Sequence, residues 1–308
     1  MAILKKLTSV IRNPSKIVVK LGKSSIGELV PDKVFLRAMY RASTGKKLNI
    51  DAPKGFNEKL QWLKLHDRNP KYINLVDKVE AKKYVQEVIG EEHIIPTIGV
   101  WNTFDEIDFS ALPEQFVLKC THDSGTVEIV KNKCTFDVKS ARIRFQNALA
   151  RNHYYGGREW PYKYVKPRII AEKYMEDYTS SETGGELVDY KFYCFQGKPR
   201  FLYIATANFC NGVKNDKMMY KWLDWSDTPF KRPDHAALQY DVKPPEKIEE
   251  MIQLAEKLSC GFPFVRTDFY YINDTVYFSE LTFYPGSGVG LFEPESWEDK
   301  IGSWITVV

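Results

Sequence analysis

Two neighbouring strand-like segments near the C-terminal end place the strongest constraint on the fold. Residues 265–272 and 275–281 are rich in β-branched and aromatic side chains, and the Asn-Asp pair between them is a turn signal, so together they predict a β-hairpin. Side chains alternate between the two faces of a strand, which groups Arg266 with Asp268 on one face. Glu280 lies on the second segment, so one face is mostly apolar and the other carries chemical groups.

Two carboxylates and an arginine on one hairpin have two interpretations. Mg²⁺ is usually held by one or two carboxylates together with substrate phosphate oxygens, and a guanidinium fork suits the same oxygens, so the set predicts a metal and phosphate site. The alternative is a solvated face with a surface ion pair.

The metal hypothesis makes a demand on the register of the hairpin. A two-residue turn would pair Ile272 with Thr275, and regular pairing would then place Asp268 opposite Ser279, with Glu280 on the other face. Both carboxylates reach one metal only if the connection has an odd number of residues or a bulge restores the phase.

Composition sets the outer limits. With 308 residues and 44% hydrophobic content, the chain is expected to form about two compact units. A net charge of +4 from 44 basic and 40 acidic side chains is too balanced to indicate a nucleic-acid partner. The five cysteines include no C-x-x-C pair and predict reduced thiols, not zinc or disulfides. Neither a signal peptide nor a membrane span is predicted, and the expected location is the cytoplasm.

The chain opens with a basic, amphipathic segment. Apolar residues recur at helical spacing among lysines and arginines: Ile3, Leu4, Leu7, Val10 and Ile11. Such a helix could associate peripherally with the inner face of a membrane or with a partner in a biosynthetic complex. Packing against its own domain is the favoured interpretation.

A strand carrying a single lysine precedes a small polar loop. Residues 116–120 are apolar or small except for Lys119, and burying a lysine there is costly without an anionic partner, which favours a functional role. Residues 121–126, with the sequence THDSGT, are of the type that folds over phosphates with backbone N–H groups. His122 beside Asp123 leaves a catalytic dyad open, although backbone capping is the commoner use of a loop histidine.

Several motifs occur in the order seen in ATP-grasp ligases. They are Asp77-Lys78 opening a helix, a Val-Leu-Lys strand before a small-residue loop, AEKYM at 171–175, a later acidic residue opening a strand, Arg-x-Asp at 266–268 and Glu-x-x-x-x-Pro-Gly at 280–286. The chain resembles more closely the TupA-like ATP-grasp family of bacterial polysaccharide synthesis, through FNEKLQWLK at 56–64, LPEQFVLK at 112–119 and DYKF at 189–192. The resemblance covers roughly residues 30 to 305.

This resemblance implies an α+β ATP-grasp fold, in which two α+β subdomains grip ATP, with a helical N-terminal extension. The expected divisions are a basic helical region at 1–54, a helical pre-grasp region at 55–114, the small subdomain at 115–175 and the large subdomain with the metal site at 176–308.

The resemblance also implies a set of residues that bind ATP and Mg²⁺. The cofactor-binding residues would be Lys78 and Lys119 at the phosphates, His122, Ser124, Gly125 and Thr126 closing over them, the main chain of Glu172, Lys173 and Met175 at adenine, and Asp189 at the ribose hydroxyls. Arg266 and Lys191 would be catalytic, with Arg266 stabilising the transferring phosphoryl group. Asp268 and Glu280 would hold Mg²⁺.

Two positions leave alternatives open. Thr282 stands where an asparagine is the usual third metal ligand, so one or two Mg²⁺ ions remain alternatives. Glu176 and Asp177 lie close to the hinge strand and compete with Asp189 for the ribose.

The predicted activity is an ATP-dependent carboxylate–amine ligation that amidates a hexuronic acid, as a small molecule or within a cell-surface or capsular polysaccharide, with an amine or amino acid. The acceptor carboxylate needs cationic partners, and a basic set clusters in sequence near the predicted cleft, with a solvated charged face as the alternative: Arg158, Lys163, Lys166, Arg168, Lys198 and Arg200. One rival is a glycosyltransferase of the same pathway, which the hairpin-rich middle of the chain disfavours. The other is an inert adaptor with an ATP-grasp fold.

Overall fold

The computed structural model describes residues 14–23, 27–178, 187–210, 213–238 and 242–307. The amphipathic segment predicted at residues 3–11 lies outside these ranges. Within them, no helix is both long enough and apolar enough to cross a membrane. The predicted α+β class is confirmed, because helices flank two separate β-sheets.

The smaller sheet has four antiparallel strands in the order β1-β4-β2-β3. They are β1 (Thr97–Trp101), β2 (Phe116–Cys120), β3 (Val127–Val130) and β4 (Ile169–Lys173). Alternation along β2 buries Phe116, Leu118 and Cys120 in the core and leaves Lys119 on the other face. This sheet begins at residue 97, earlier than the expected boundary at 115.

The larger sheet has six strands in the order β10-β9-β5-β6-β7-β8, antiparallel except for the parallel pair β7 and β8. They are β5 (Val188–Phe195), β6 (Lys198–Cys210), β7 (Val213–Trp222), β8 (Ala236–Ala237), β9 (Phe264–Ile272) and β10 (Thr275–Thr282). Their aromatic and β-branched side chains favour extended structure. The predicted C-terminal hairpin, β9 and β10, forms one edge of this sheet.

The α-helices of the described residues surround the sheets. They are α1 (Pro14–Gly22), α2 (Asp32–Thr44), α3 (Phe56–His66), α4 (Lys71–Leu75), α5 (Glu80–Ile89), α6 (Val138–Leu149), α7 (Tyr154–Gly157), α8 (Ile248–Ser259) and α9 (Ser296–Gly302). Helix α8 buries Met251, Leu254, Ala255 and Leu258 at the spacing of one helical face. That face covers one side of the larger sheet, while Phe56 of α3 packs on part of the opposite side, the side that also carries the polar groups of the site.

Each sheet has a hydrophobic core of its own. The larger core joins the six-stranded sheet to α3, α5 and α8, and the smaller lies between the four-stranded sheet and α6. A third cluster packs α2 against Leu48 and Ile50. The two sheets are therefore built as separate units, which leaves a site between their uncovered faces.

Candidate nucleotide and metal site

A β-bulge near the end of β10 brings the two predicted metal ligands together. Asn273 and Asp274 both have positive φ angles, 47° and 61°, as a two-residue hairpin turn of this type requires. Ile272 pairs with Thr275, but the register shifts between Phe278 and Glu280, so that Glu280 lies opposite Asp268. The structure thus contains the phase-restoring bulge that the metal hypothesis requires.

Arg266 joins the two carboxylates. Its Nε donates to Asp268 Oδ1 at 2.8 Å and its Nη2 donates to Asp268 Oδ2 at 2.6 Å. The same Nη2 donates to Glu280 Oε1 at 2.8 Å. Lys191 Nζ also donates to Asp268 Oδ2 at 2.6 Å. Asp268 is fully buried and bonded through both oxygens, whereas 44% of the Glu280 side chain is exposed, so Glu280 is the more accessible carboxylate.

These groups hold one another in their charged forms. Burial by itself would raise the pKa of Glu280, but the charges of Lys191 and Arg266 hold that pKa well below its usual range. Burial would lower the pKa of Lys191, yet Asp189 and Asp268 raise it well above its usual value. The site therefore favours the charged forms of Glu280 and Lys191.

Asp189 lies on β5, two residues before Lys191 and on the same face of the strand. One of its two carboxylate oxygens can accept a further hydrogen bond. Burial raises the pKa of Asp189 to about 6 despite its ion pair with Lys191. Its Oδ1 atom is buried and has no hydrogen-bond partner among the described residues. A ribose hydroxyl is the kind of donor that this oxygen lacks. Of the two competing residues, Asp177 accepts through Oδ1 from the backbone N–H of Asn273, and the backbone carbonyl of Glu176 accepts from the Asn273 side chain.

Lys119 has its anionic partner within the chain. Its Nζ lies 2.6 Å from Glu172 Oε2, and the other Glu172 oxygen pairs with Lys82. Burial would lower the pKa of Lys119, but Glu172 reverses the effect and raises it. Glu172 was predicted to contribute main chain to adenine; in the structure its side chain holds two lysines in place.

The buried Glu172 predicts a loss of stability in acid. Lys119 and Lys82 outweigh burial and lower the pKa of Glu172 from 4.5 to about 2. Because this pKa is depressed in the folded state, the stabilisation is present above pH 4.5 and is lost as the pH falls toward 2. We expect Glu172→Gln to lower the free energy of unfolding by about 3 kcal/mol at pH 7, since two buried ammonium groups lose their partner. Urea unfolding between pH 7 and pH 3 measures it.

The control for this experiment is the exposed Glu114. Glu114→Gln is expected to match wild type at every pH, whereas the deficit of Glu172→Gln should shrink as the pH falls. A deficit that does not change with pH would contradict the account.

Lys78 and the loop after β2 form the other side of the site. Lys78 Nζ donates to the carbonyl oxygen of Asp123. Burial lowers the pKa of Lys78, while the charges of Asp123 and Glu280 oppose that shift, so Lys78 faces the carboxylate on the larger sheet. The loop itself exposes Ser124 and Gly125, as a phosphate-covering loop would.

Some of the predicted residues face elsewhere. The imidazole of His122 is buried, and its Nε2 lies 3.1 Å from the carbonyl oxygen of Ala148 in α6, so only its backbone faces the loop. Strand β4 ends at Lys173, whose N–H donates to Pro96 O. Met175 lies in the segment of chain that follows β4 and leads to β5 of the larger sheet.

The six basic residues expected near the acceptor do not form one cluster. Arg158 is buried beside Asp32 and donates to Gly27 O, and Arg168 pairs with Asp77 and Glu80. Lys198 pairs with Glu256 on α8. The prediction is wrong, because side chains that are close in sequence here lie on different elements and pair with different partners.

Sequence reasoning missed a polar stripe on α3. Asn57, Gln61 and Lys64 share one face and are buried. Asn57 Nδ2 donates to Gly290 O, Gln61 Nε2 to Gly288 O and Lys64 Nζ to Ser287 O, at 2.9, 2.6 and 2.8 Å. The stripe fixes the loop that follows β10. Polar residues recurring at the spacing of one helical face were the available signal.

That loop has an unusual backbone that needs such support. Gly286, Ser287 and Gly288 all have positive φ angles, of 57°, 51° and 62°. Ser287 is an uncommon residue in this conformation, which costs on the order of 1 kcal/mol or more. Burial lowers the pKa of Lys64 to about 8, and the charges of Glu159 and Asp32 partly offset this shift. Keeping the buried lysine charged therefore costs free energy.

A row of side chains extends from the charged cluster across the larger sheet. Register pairing places Glu280, Asp268, Lys191, Tyr203 and Tyr220 opposite one another on β10, β9, β5, β6 and β7. The Arg266 guanidinium lies 5.5 Å from the centre of the Tyr203 ring. The row leads from the predicted catalytic residues to a second set of polar groups.

Arg232 and two tyrosines form that second set. Arg232 Nε donates to Asp234 Oδ1 at 3.0 Å, and its guanidinium lies against the backbone of Gly286 and Gly290. Burial raises the pKa of Tyr220, and the nearby charge of Arg232 opposes that rise. The hydroxyls of Tyr193 and Tyr220 are buried without a hydrogen-bond partner in the described residues.

A family model for TupA-like ATP-grasp proteins matches residues 58–306. The chain belongs to the TupA-like ATP-grasp family. This confirms the family and the ATP-grasp fold predicted from the motifs. No curated protein matches the chain.

The chain is weakly similar to solved structures of several ligases. An L-amino acid ligase from Bacillus licheniformis is 12% identical, with a TM-score of 0.44 over 85% of this chain and 55% of that one. A D-alanine–D-alanine ligase from Bacillus anthracis complexed with ATP is 15% identical, with a TM-score of 0.37 over 68% and 54%. The ATP-grasp ligase PsnB, complexed with Mg and ADP, is 9% identical, with a TM-score of 0.40 over 79% and 60%. The chain thus spans 54 to 60% of the length of these proteins, and the likeness carries no argument about its activity.

Proposed function

We propose that this TupA-like ATP-grasp protein is an ATP-dependent carboxylate–amine ligase that amidates a hexuronic acid of a cell-surface polysaccharide, or its precursor, with an amino acid or amine. The carrying observation is the convergence of Arg266, Lys191, Asp268 and Glu280 on one sheet face, with Lys119 on strand β2 of the smaller sheet and Lys78 in the turn before α5. The family resemblance supports the polysaccharide substrate.

The residues present fit ATP. Lys78 and Lys119 supply cations for the phosphates, and the unpartnered Oδ1 of Asp189 supplies an acceptor for a ribose hydroxyl. Both lysines have lost part of their hydration through burial, so an anion bound to them would interact more strongly than in water.

The residues present supply part of a Mg²⁺ site, namely two carboxylates. Within the described residues, no group of three or more His, Cys, Asp and Glu side chains is placed to hold a metal alone. Glu280 and Asp268 would hold Mg²⁺ together with phosphate oxygens, the usual arrangement for this ion. Bound Mg²⁺ supplies charge neutralisation at the phosphate.

The chain's own residues position groups and neutralise charge. Arg266 and Lys191 would stabilise negative charge on the transferring phosphoryl group, and Asp268 fixes both by accepting from them. The substrate carboxylate, not the protein, would be the nucleophile: burial raises the pKa of the Cys120 and Cys194 thiols to about 12, so neither is a ready thiolate. An acyl phosphate would form and the amine would displace phosphate from it.

Arg232 with Tyr193 and Tyr220 would hold the carboxylate-bearing acceptor. The set continues the row that begins at the phosphoryl-transfer residues, and two of its hydroxyls lack partners. A carboxylate or a sugar hydroxyl would satisfy them. The strained loop formed by residues 286–288 lies beside Arg232 and would border the same acceptor site.

Arg232→Gln tests this assignment. We expect the KM for the acceptor to rise about 10- to 100-fold, because a charge-assisted hydrogen bond is lost, while the KM for ATP is unchanged. Steady-state ADP release at varied acceptor and varied ATP separates the two. The exposed Arg200→Gln serves as a control, and equal effects on both KM values would contradict the assignment.

The function itself is tested by ADP release against a panel of uronic acids and amino acids, with and without Mg²⁺. We expect ADP only when ATP, a uronic acid and an amine are all present. ATP that binds but is never turned over with any pair would favour the inert adaptor.

A further inference from the structure

The α1–α2 surface, made by Ile17, Leu21, Val34, Arg37, Arg41 and Lys47, has no part in the site described above. Helices α1 and α2 pack side by side and enclose a groove of about 310 Å³ between them. Three cations line this groove, Arg37, Arg41 and Lys47, together with apolar Val18, Val34 and Leu48. No acidic residue of the described chain lines it.

Positive charge is concentrated on this part of the chain. Residues 15–48 contain eight Lys and Arg against two Asp and Glu, an excess of six positive charges, whereas the whole chain has a net charge of +4. Asp51 pairs with Lys33 and Arg37 at the edge of the surface. The other residues together carry a net charge of −2, so residues 15–48 are a local concentration of positive charge.

Large apolar side chains are exposed on the same part of the chain, and one of them, Val34, lines the groove with the cations. Of the ten exposed large hydrophobic residues in the described chain, four lie between residues 17 and 34: Ile17 at 38%, Leu21 at 42%, Leu29 at 79% and Val34 at 49%. The inner face of α2 is already satisfied, because Phe35, Leu36, Met39 and Tyr40 are buried against Leu48 and Ile50. The exposed apolar residues are therefore not needed to fill this core.

We propose that the α1–α2 surface binds an anionic lipid bilayer, with lipid phosphates at Arg41 and Lys47 and with Ile17, Leu21 and Val34 in the interface. Apolar side chains beside a cluster of cations are the combination that binds such a surface. A nucleic acid would use the cations but not the apolar residues. A second copy would bring like charges together. The proposal is independent of the ligase activity.

Binding of the full chain to vesicles tests the proposal. Flotation is measured with phosphatidylcholine vesicles and with vesicles containing 30% phosphatidylglycerol. We expect binding to the anionic vesicles only, weakened by added salt. The triple variant Arg37→Gln, Arg41→Gln, Lys47→Gln should lower the affinity by about 100-fold, at about fivefold for each cation.

Matched variants separate the two parts of the surface from general charge. Leu21→Ser with Val34→Ser keeps the charge and should lower the affinity by about 10-fold or more, while Ile129→Ser with Ile143→Ser should not. Lys139→Gln, Arg151→Gln and Lys257→Gln remove three exposed cations elsewhere and should retain most of the binding.

Three results would overturn the proposal. They are equal binding to neutral and anionic vesicles, full binding by the Arg37, Arg41, Lys47 variant, and lipid-free self-association that the same variant abolishes in analytical ultracentrifugation. The last would identify a second copy as the occupant. Thermal unfolding of each variant shows that it is folded.

Discussion

Replacing Glu280 by glutamine is expected to lower ADP formation by about 10²- to 10³-fold, the usual cost of removing one preorganised charge at a phosphoryl-transfer site. Glu280 is the accessible carboxylate of the pair, while Asp268 is fully buried and bonded to Arg266 and Lys191. Glutamine keeps the size of the side chain and its bond to Arg266, but removes the charge that would hold Mg²⁺ beside the phosphate.

The measurement is the initial rate of ADP release at saturating ATP and ordinary Mg²⁺. Asp274→Asn changes another acid of the same hairpin, in its exposed turn, and should retain the wild-type rate. Asp268→Asn should stop ADP formation as well, but it also leaves two buried cations underpaired and so affects stability. A wild-type rate in Glu280→Gln would remove this residue from the metal site.

Lys119→Met is the second change with a large expected effect, again about 10²- to 10³-fold in ADP formation. The lysine is held by Glu172 on the face of β2 that points away from the core. Lys82 still pairs with Glu172 in the variant, so the fold should be preserved. Nucleotide binding by calorimetry and the rate of ADP release are both measured. Lys139→Met on the exposed face of α6 is the control, and unchanged turnover in Lys119→Met would make Lys119 structural.

The hairpin shows how far sequence reasoning reaches. Alternation predicted which residues share a face, and the two-residue turn predicted that a bulge was needed for Asp268 and Glu280 to meet. The place of the bulge, at Ser279, depends on how β10 pairs along β9, and no local pattern indicates it.

Long-range partners were beyond the sequence. Lys119 was expected to need an anion, but nothing local indicated that Glu172, on the neighbouring strand β4, would provide it. Likewise the motif at 56–64 was identified by family resemblance alone. The structure explains its Asn57, Gln61 and Lys64 as supports for the loop after β10. Such roles come from tertiary packing, not from local propensity.

Trapping with hydroxylamine tests the central claim most directly. Hydroxylamine replaces the amine and captures an activated carboxylate as its hydroxamate. With ATP, Mg²⁺ and a uronic acid, we expect hydroxamate, ADP and phosphate to form in equal amounts, and all three to form about 10²- to 10³-fold more slowly in Glu280→Gln. Transfer of sugar from a nucleotide-sugar donor, with ATP neither bound nor consumed, would contradict the account.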